Sequence, residues 1–318
     1  MTKFLKFSNP DLICHPAAWL LCFALILQAC SPANDESAIP MLPKNELNAF
    51  VQHLSDSLHA QTIAVSLYDL ETGESFHHNE KELLHAASTM KVPVMIELYR
   101  QAEAGTFSID DSIAIKNQFR SIVDDSEYKI SEDSENTLYE KIGQKAAIRD
   151  LMSLMITWSS NLATNLLIEL VDAKSVTNTM HELGAPDIQV LRGVEDIKAY
   201  RKGWSNRTTS YDMMMVMRAI AENKAASKEN CAEMIDILKQ QHFTEGIASG
   251  VPEGVATASK SGAITAIQHD CGIVFPPDRK PYILIVLTKG IAVPKDAQKA
   301  IAAISKKVYQ TLNPTTDN

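Results

Sequence analysis

Glycine, proline and aromatic residues are all scarce in this sequence. Its 318 residues include 12 glycines, 13 prolines and 6% aromatics, beside 45% hydrophobic and 22% charged residues. This composition excludes a collagen-like or low-complexity chain, and it is too apolar for a disordered one. The length suffices to bury a sizeable core in one large domain or two modest ones.

Positive charge is also in short supply. The sequence has 30 Lys and Arg residues and 39 Asp and Glu residues, which gives a net charge of −9. Because nucleic-acid binding needs a basic surface, this balance argues against a nucleic-acid partner. The chain has no Gly-x-Gly-x-x-Gly, P-loop or His-Glu-x-x-His motif, and His77 and His78 fall on a predicted strand where neighbouring side chains diverge. We therefore expect no metal and no other cofactor.

The one strongly apolar run near the start is too short to cross a bilayer with ease. It covers residues 17–27, whereas a spanning helix needs about 20 residues. It follows Lys3 and Lys6, as in a signal peptide, and the pattern Leu-Gln-Ala-Cys that ends at Cys30 resembles a bacterial lipobox. We therefore expect a signal peptide over residues 1–29 and a lipid on Cys30. A plain signal peptide or a retained anchor helix is the alternative.

A polar, proline-containing stretch over residues 30–45 is typical of a tether between an anchor and a domain. The expected location is the bacterial cell envelope, where the lipid on Cys30 would hold the protein at a membrane, facing the periplasm. Ser31 after Cys30 favours the outer membrane if the cell is Gram-negative.

Few cysteines remain for the folded domain. Cys14 and Cys22 would leave with the signal peptide, and Cys30 would be acylated. Two buried free thiols, Cys231 and Cys271, are the simpler expectation, and a disulfide between them is the alternative.

Hydrophobic periodicity predicts strands at both ends of the chain and helices between them. Alternation and turn signals predict hairpins at about 62–79 and 272–288. Apolar residues recur at helical spacing over 148–158 and 162–170, and Pro294 marks the start of a last helix.

This order of elements predicts an α/β (α+β) fold, in which an antiparallel sheet built from both termini is flanked by helices and carries an all-helical insert. We expect a single catalytic unit over residues 46–313. Its α/β part covers about 46–87 and 222–313, and its helical part covers about 88–221. The acidic segment 124–140 is predicted to be an exposed loop.

Three short patterns carry the candidate chemistry. In the first, Ser88 and Lys91 are three residues apart at the start of an apolar helical run, so the amine can reach the hydroxyl. A serine needs such a base to become a nucleophile, and the helix N-terminus favours a developing negative charge. A second Ser-x-x-Lys, at 126–129, has no apolar helix behind it.

The other two patterns are Ser159-Ser160-Asn161, between two helical runs, and Lys260-Ser261-Gly262-Ala263, before a strand. The Ser159-Ser160-Asn161 pattern can present a hydroxyl and an amide to a cleft, although Ser and Asn are also common helix caps. In the second, the glycine permits close approach of a ligand, and the lysine offers charge to a carboxylate. An ordinary strand lysine is the alternative.

Together and in this order, the patterns resemble those of the class A β-lactamase-like serine hydrolases. The resemblance covers roughly Glu46 to Asn313. It implies that Ser88 is acylated, that Lys91 deprotonates it alone or with Glu195 through a water, and that Ser159 passes a proton to the leaving nitrogen. Glu195 would position the water that hydrolyses the acyl-enzyme.

The resemblance also assigns the substrate contacts. Asn161 would hold the acylamide, and Lys260 and Ser261 would bind the carboxylate of a β-lactam or a cell-wall peptide. The backbone N–H groups of Ser88 and Ala263 would form the oxyanion hole, and Gly262 belongs to the same substrate-binding stretch. We expect the protein to be a monomer.

The sequence departs from the family pattern at several positions. Ala199 stands where an asparagine usually holds the hydrolytic water, and Ser160 where the motif has aspartate. Asn206 replaces an aspartate that pairs with an arginine. After Lys260 the only arginine is Arg279, in a predicted turn, and Cys271 would fill the strand position of the usual arginine.

These observations predict a serine β-lactamase-like hydrolase. A D-alanyl-D-alanine peptidase or an esterase-like penicillin-interacting hydrolase is the alternative with the same nucleophile. A non-catalytic lipoprotein that binds the cell wall is the alternative of another class.

Overall fold

The computed structural model describes residues 42–314, so the predicted signal peptide, Cys30 and most of the tether lie outside the described residues. The first helix begins at Lys44, two residues before the predicted start of the catalytic unit at Glu46. The α-helices of the described part are α1 (Lys44–Ser57), α2 (Lys91–Glu103), α3 (Ile148–Thr157), α4 (Asn161–Val171), α5 (Ala173–Glu182), α6 (Ile197–Arg201), α7 (Ser210–Ala221), α8 (Lys228–Leu238) and α9 (Pro294–Leu312).

Strands from the two ends of the chain form one antiparallel sheet, in the order β2-β1-β11-β10-β9. The helices and three two-stranded ribbons lie outside this sheet. The strands are β1 (Thr62–Asp69), β2 (Ser75–His78), β3 (Leu84–His85), β4 (Ser112–Ala114), β5 (Phe119–Arg120), β6 (Glu127–Tyr128), β7 (Lys145–Ala147), β8 (Arg207–Thr208), β9 (Ala256–Ile264), β10 (Ile267–Phe275) and β11 (Tyr282–Lys289).

The sheet buries both of its faces. On β11, Leu284 and Val286 pack with α1 and α9, whereas Ile283, Ile285 and Leu287 pack with the helical part. Side chains alternate between the faces of a strand, so a strand buried on both sides is apolar throughout. This arrangement confirms the predicted fold class and both predicted hairpins, although β10 begins five residues earlier than the apolar run suggested.

The helices agree with the apolar periodicity that predicted them. The helices α3 and α4 fall on the two predicted runs, and α9 starts at Pro294. Cys231 and Cys271 are free and buried, as the simpler expectation had it. Across residues 42–314, no helix has both the length and the apolar character that crossing a bilayer requires.

Candidate active site

Ser88 lies where the sheet meets the helical part. A short 3₁₀ helix, Ala87–Met90, carries it and continues directly into α2. Ala87 has a φ of 46°, a left-handed conformation that non-glycine residues seldom adopt and that concentrates at functional sites. On β9, Gly262 packs so closely that an added Cβ would lie 3.0 Å from the Ser88 nitrogen. The strand β9 therefore borders the backbone of the candidate nucleophile.

Lys91 is wholly buried at the start of α2. Its Nζ donates to the carbonyl oxygen of Ser159 at 2.6 Å, to Ser159 Oγ at 3.1 Å and to Asn161 Oδ1 at 3.0 Å. Among the described residues it makes no hydrogen bond to Ser88. Burial and, after it, the charge of Lys260 hold the pKa of Lys91 well below its usual value. The lowered pKa favours the neutral amine, which is the form that accepts a proton.

The hydroxyl of Ser159 lies between two lysines. Lys91 Nζ and Lys260 Nζ both donate to Ser159 Oγ, each at 3.1 Å, and Lys260 also donates to the carbonyl oxygen of Ser261 at 2.8 Å. Burial lowers the pKa of Lys260 to about 7, although the charge of Asp270 opposes this shift. A hydroxyl bonded to two amines of lowered pKa is suited to pass a proton.

The acidic segment 124–140 is a largely exposed loop, as predicted, and it also forms one wall of the site. Asp133 accepts the backbone N–H groups of Asn161 and Leu162, both at 2.9 Å, and the hydroxyl of Ser160 at 3.2 Å. The carboxylate thus satisfies free donors at the start of α4 and meets the positive end of the helix dipole. An aspartate from a distant segment, Asp133, therefore contacts the Ser159-Ser160-Asn161 motif, which has no aspartate of its own.

Glu195 reaches the same cluster from the loop that precedes α6. Its Oε1 accepts from Asn161 Nδ2 at 3.2 Å, and its Oε2 accepts from the backbone N–H of Ser131 at 2.8 Å. Asn161 therefore links Glu195 to Lys91, because its Oδ1 accepts from the lysine. No local pattern distinguishes Ser131 from the other serines of its segment, so the sequence did not single it out.

The side-chain amide of Asn206 holds the start of the loop that carries Glu195. Asn206 Oδ1 accepts the N–H groups of Leu191 and Arg192 at 2.9 and 3.2 Å, and Asn206 Nδ2 donates to the Arg192 carbonyl oxygen at 2.9 Å. The Arg192 guanidinium donates to backbone oxygens. Ala199 is wholly buried in α6. Because its side chain is a methyl group, it offers no polar group to Glu195.

The strand residues near Lys260 differ from the expectation. Arg279 lies in the turn between β10 and β11, where it pairs with two carboxylates at the end of β1. Cys271 pairs with Lys260 in the sheet but packs into the core. The β10 residue that pairs with Ser261 and lines the cleft is Asp270. A carboxyl group, rather than a thiol, therefore stands at this end of the site.

Two cavities meet at Ser88 and form one cleft. One, of about 470 Å³, extends toward Glu195, and the other, of about 310 Å³, extends toward Asp270. Seven of the nine predicted catalytic and substrate-binding residues line the cleft, and Lys91 and Lys260 are buried beneath it. The seven are Ser88, Ser159, Asn161, Glu195, Ser261, Gly262 and Ala263.

The cluster contains a serine, a buried amine of lowered pKa, a second hydroxyl and a carboxylate. Such a cluster suits acyl transfer through the serine, because it contains a nucleophile, bases and a proton path. The fold and the site together thus define an active-site serine hydrolase.

Comparison with known proteins identifies the family. The chain matches the model of the Beta-lactamase enzyme family over residues 43–312. It is 23% identical to the β-lactamase CARB-4 of Pseudomonas aeruginosa over 302 residues, which are 92% of this chain and 96% of that protein. The solved β-lactamase of Sphaerobacter thermophilus DSM 20745 is 27% identical, with a TM-score of 0.75 over 86% of this chain and 98% of that one.

An ancestral class A β-lactamase shares the fold at 20% identity, with a TM-score of 0.73 over 83% of this chain and 99% of that one. The chain belongs to the beta-lactamase enzyme family. It is a serine β-lactamase-like hydrolase, which confirms the resemblance found in the sequence.

Proposed function

We propose that this protein opens β-lactam amides through an acyl-enzyme on Ser88 and then hydrolyses that acyl-enzyme. The observation that carries the proposal is the position of Glu195. Asn161 contacts both Glu195 and Lys91, so a base for releasing the acyl group lies beside a base for forming it. A base that takes a proton from the attacking water speeds release of the acyl group.

In acylation, the Ser88 oxygen attacks the amide carbonyl carbon while its proton passes to the neutral amine of Lys91. The proton then reaches the leaving nitrogen through Ser159 Oγ, which is 3.1 Å from the Lys91 amine. The backbone N–H groups of Ser88 and Ala263 stabilise the negative charge on the carbonyl oxygen. The close packing of Gly262 against Ser88 supports this role, because a larger residue would push β9 away.

In deacylation, Glu195 takes a proton from a water whose oxygen attacks the ester carbonyl. The Ser88 oxygen then leaves as a hydroxyl with the proton that Glu195 took from the water, so Glu195 and Lys91 both regain their starting forms. Ser131 and Asn161 fix the two carboxylate oxygens of Glu195. Because Ala199 has no amide to hold the water, we expect deacylation to be the slower step.

Substrate binding uses the residues on either side of Ser88. The Asn161 side chain contacts the acylamide, and protonated Lys260 with the Ser261 hydroxyl binds the carboxylate. Burial of Lys260 supports this assignment, because a buried cation interacts strongly with an incoming anion.

The first residues of the chain suggest where the enzyme acts. We infer a signal peptide over residues 1–29 and a lipid on Cys30, which hold a monomeric enzyme at the cell envelope, facing the periplasm. There it would hydrolyse β-lactams before they reach the cell wall and so confer resistance. Substitution of Cys30→Ala should move the protein from the membrane fraction to the soluble fraction and abolish incorporation of labelled fatty acid.

The reaction is tested by mixing the purified protein with a penicillin and a chromogenic cephalosporin, following turnover and intact mass together. We expect sustained turnover with an adduct that disappears once the substrate is used up, neither turnover nor adduct in Ser88→Ala, and a lasting adduct in Glu195→Gln. Glu140→Gln, an exposed carboxylate in a neighbouring segment, should behave as the parent does. A stable adduct on Ser88 in the parent without turnover would contradict the proposal and indicate a penicillin-interacting peptidase or esterase.

A further inference from the structure

Beyond Ser261 the cleft ends in a pocket that none of the three sequence motifs describes. Its lining comes from the loop before a 3₁₀ helix at Ile247–Gly250, from β10 and from α9. We call it the distal pocket and define it by Phe243, Glu245, Gly246, Gln268, Asp270 and Gln298.

Asp270 is the buried acid of the distal pocket. It pairs with Ser261 in the sheet, so both side chains lie on the same face, and it is 1% exposed. Its Oδ2 accepts the N–H of Ile247 at 2.8 Å, whereas its Oδ1 has no hydrogen-bond partner in the described part of the chain. The backbone of Gly246 lies against this carboxyl, since a Cβ there would come within 2.4 Å of Oδ2. Unused acceptors of this kind are rare in buried positions, and each one requires an explanation.

The electrostatic character of the distal pocket is acidic. Exposed Glu245 adds a second carboxylate, and the described lining residues include no Lys or Arg. His269 also lines the pocket, and burial lowers its pKa, so it is neutral. The Lys260 ammonium is directed to Ser159 and Ser261 rather than to Asp270. Burial raises the pKa of Asp270 to about 6, so its carboxylate form still predominates at neutral pH.

We propose that the distal pocket binds a hydrogen-bond donor on the leaving group, an ammonium or a primary amide. This inference rests on the proposed function and deepens it. The preferred leaving group would carry two polar groups: a carboxylate bound by Lys260 and Ser261, and a donor that lies beyond it. Glu245 and Gln268, which solvent reaches, contact the donor directly. Asp270 acts from beneath as a negative charge in a region of low dielectric, where charges interact more strongly than in water.

Three matched esters test the proposal with the full-length enzyme. Each has a phenylacetylglycyl group esterified to 3-hydroxybenzoate, and position 5 of the benzoate carries an aminomethyl, a hydroxymethyl or a carboxyl group. Each kcat/KM is divided by the rate constant of spontaneous hydrolysis, which removes the difference in leaving-group reactivity. The aminomethyl and hydroxymethyl esters carry the same single carboxylate, so effects that a variant exerts on that carboxylate through Lys260 cancel in the ratio of these two esters.

We expect the aminomethyl ester to react best and the dicarboxylate worst, by about tenfold between them, as two weak ion pairs would give. Glu245→Gln and Asp270→Asn should each lower that ratio by about two- to fivefold, the range of single exposed or partly screened pairs. Glu253→Gln, an exposed carboxylate outside the cleft, should leave it unchanged. Added salt should also lower the parent ratio, because it screens the exposed Glu245.

The outcomes separate this inference from the proposed function. Equal rates for the three esters, or a preference for the dicarboxylate, would overturn the inference while leaving acylation of Ser88 intact. If none of the three esters acylates Ser88 although a penicillin does, only the inference is overturned; if a penicillin fails to acylate Ser88 as well, both are overturned. Glu245 is exposed, so Glu245→Gln remains a folded variant even if Asp270→Asn does not fold.

Discussion

The backbone N–H of Asn161 donates to Asp133 Oδ1 at 2.9 Å across 28 residues of sequence. The same carboxylate holds the next N–H of α4, so it fixes the first turn of that helix. Asn161 in turn contacts both Lys91 and Glu195. An acid outside every motif therefore positions the side chain that joins the two bases of the site.

Substitution of Asp133→Asn should reduce turnover without removing Ser88 chemistry. A neutral amide loses the charge-assisted bonds, each worth about 1.5–3 kcal/mol, so we expect kcat/KM for a penicillin to fall roughly 10- to 100-fold. Steady-state kinetics with intact mass after mixing measure this effect. Glu140→Gln is the matched control, and a variant Asp133→Asn as fast as the parent would show that Asp133 has no positioning role.

Binding of the substrate carboxylate should weaken as pH rises through 7. The lowered pKa of Lys260, about 7, means that its charged form predominates below that pH and is lost above it. We expect KM for a penicillin to rise about tenfold per pH unit well above 7, where one deprotonation controls binding. In Lys260→Arg the rise should move to higher pH, since a guanidinium stays protonated. A KM that is constant from pH 7 to 9 would contradict the assignment.

Substitution of Gly262→Ala should slow acylation. The added Cβ would lie 3.0 Å from the Ser88 nitrogen and 3.1 Å from the Thr89 nitrogen, so β9 must move away from the 3₁₀ helix. Loss of one oxyanion-hole donor typically costs about 10²–10³ in rate. Pre-steady-state acylation by the chromogenic cephalosporin measures the effect, and normal acylation would remove Ala263 from the oxyanion hole.

Substitution of Gly193→Ala should instead slow deacylation. The added Cβ would lie 2.3 Å from Asn165 Oδ1, which accepts the N–H of Val194 next to Glu195. The clash should displace the loop that carries Glu195 and let the acyl-enzyme persist. The expected result is a near-normal burst followed by slow turnover, the reverse of the Gly262→Ala result. Equal loss in both phases would point to general unfolding, which a thermal melt would reveal.

The two thiols of the domain should be inert in the folded protein. Cys231 and Cys271 are free and buried, and burial raises the pKa of both. We expect peptide-resolved labelling with iodoacetamide at pH 8 to modify them only after unfolding, because the thiolate is the reactive form. Reductant should leave Tm unchanged, whereas a fall in Tm would indicate a disulfide.

The motifs, their order and the elements that carry them could be predicted before the fold was known. Ser88 with Lys91, the hairpins and the helix starting at Pro294 all follow from spacings of a few residues, and local periodicity reports such spacings directly. The family resemblance rested on these short patterns, which explains why it was confirmed at identities near one quarter.

The further residues that complete the site could not be predicted without the folded chain. Asp133 and Ser131 reach α4 and Glu195 across 28 and 64 residues, and no local period encodes such contacts. Whether Asp270 or Cys271 faces the cleft depended on the register of β9 and β10. A shift of one residue turns every side chain of a strand to the other face, so the identity of the group beside Ser261 was fixed by strand pairing.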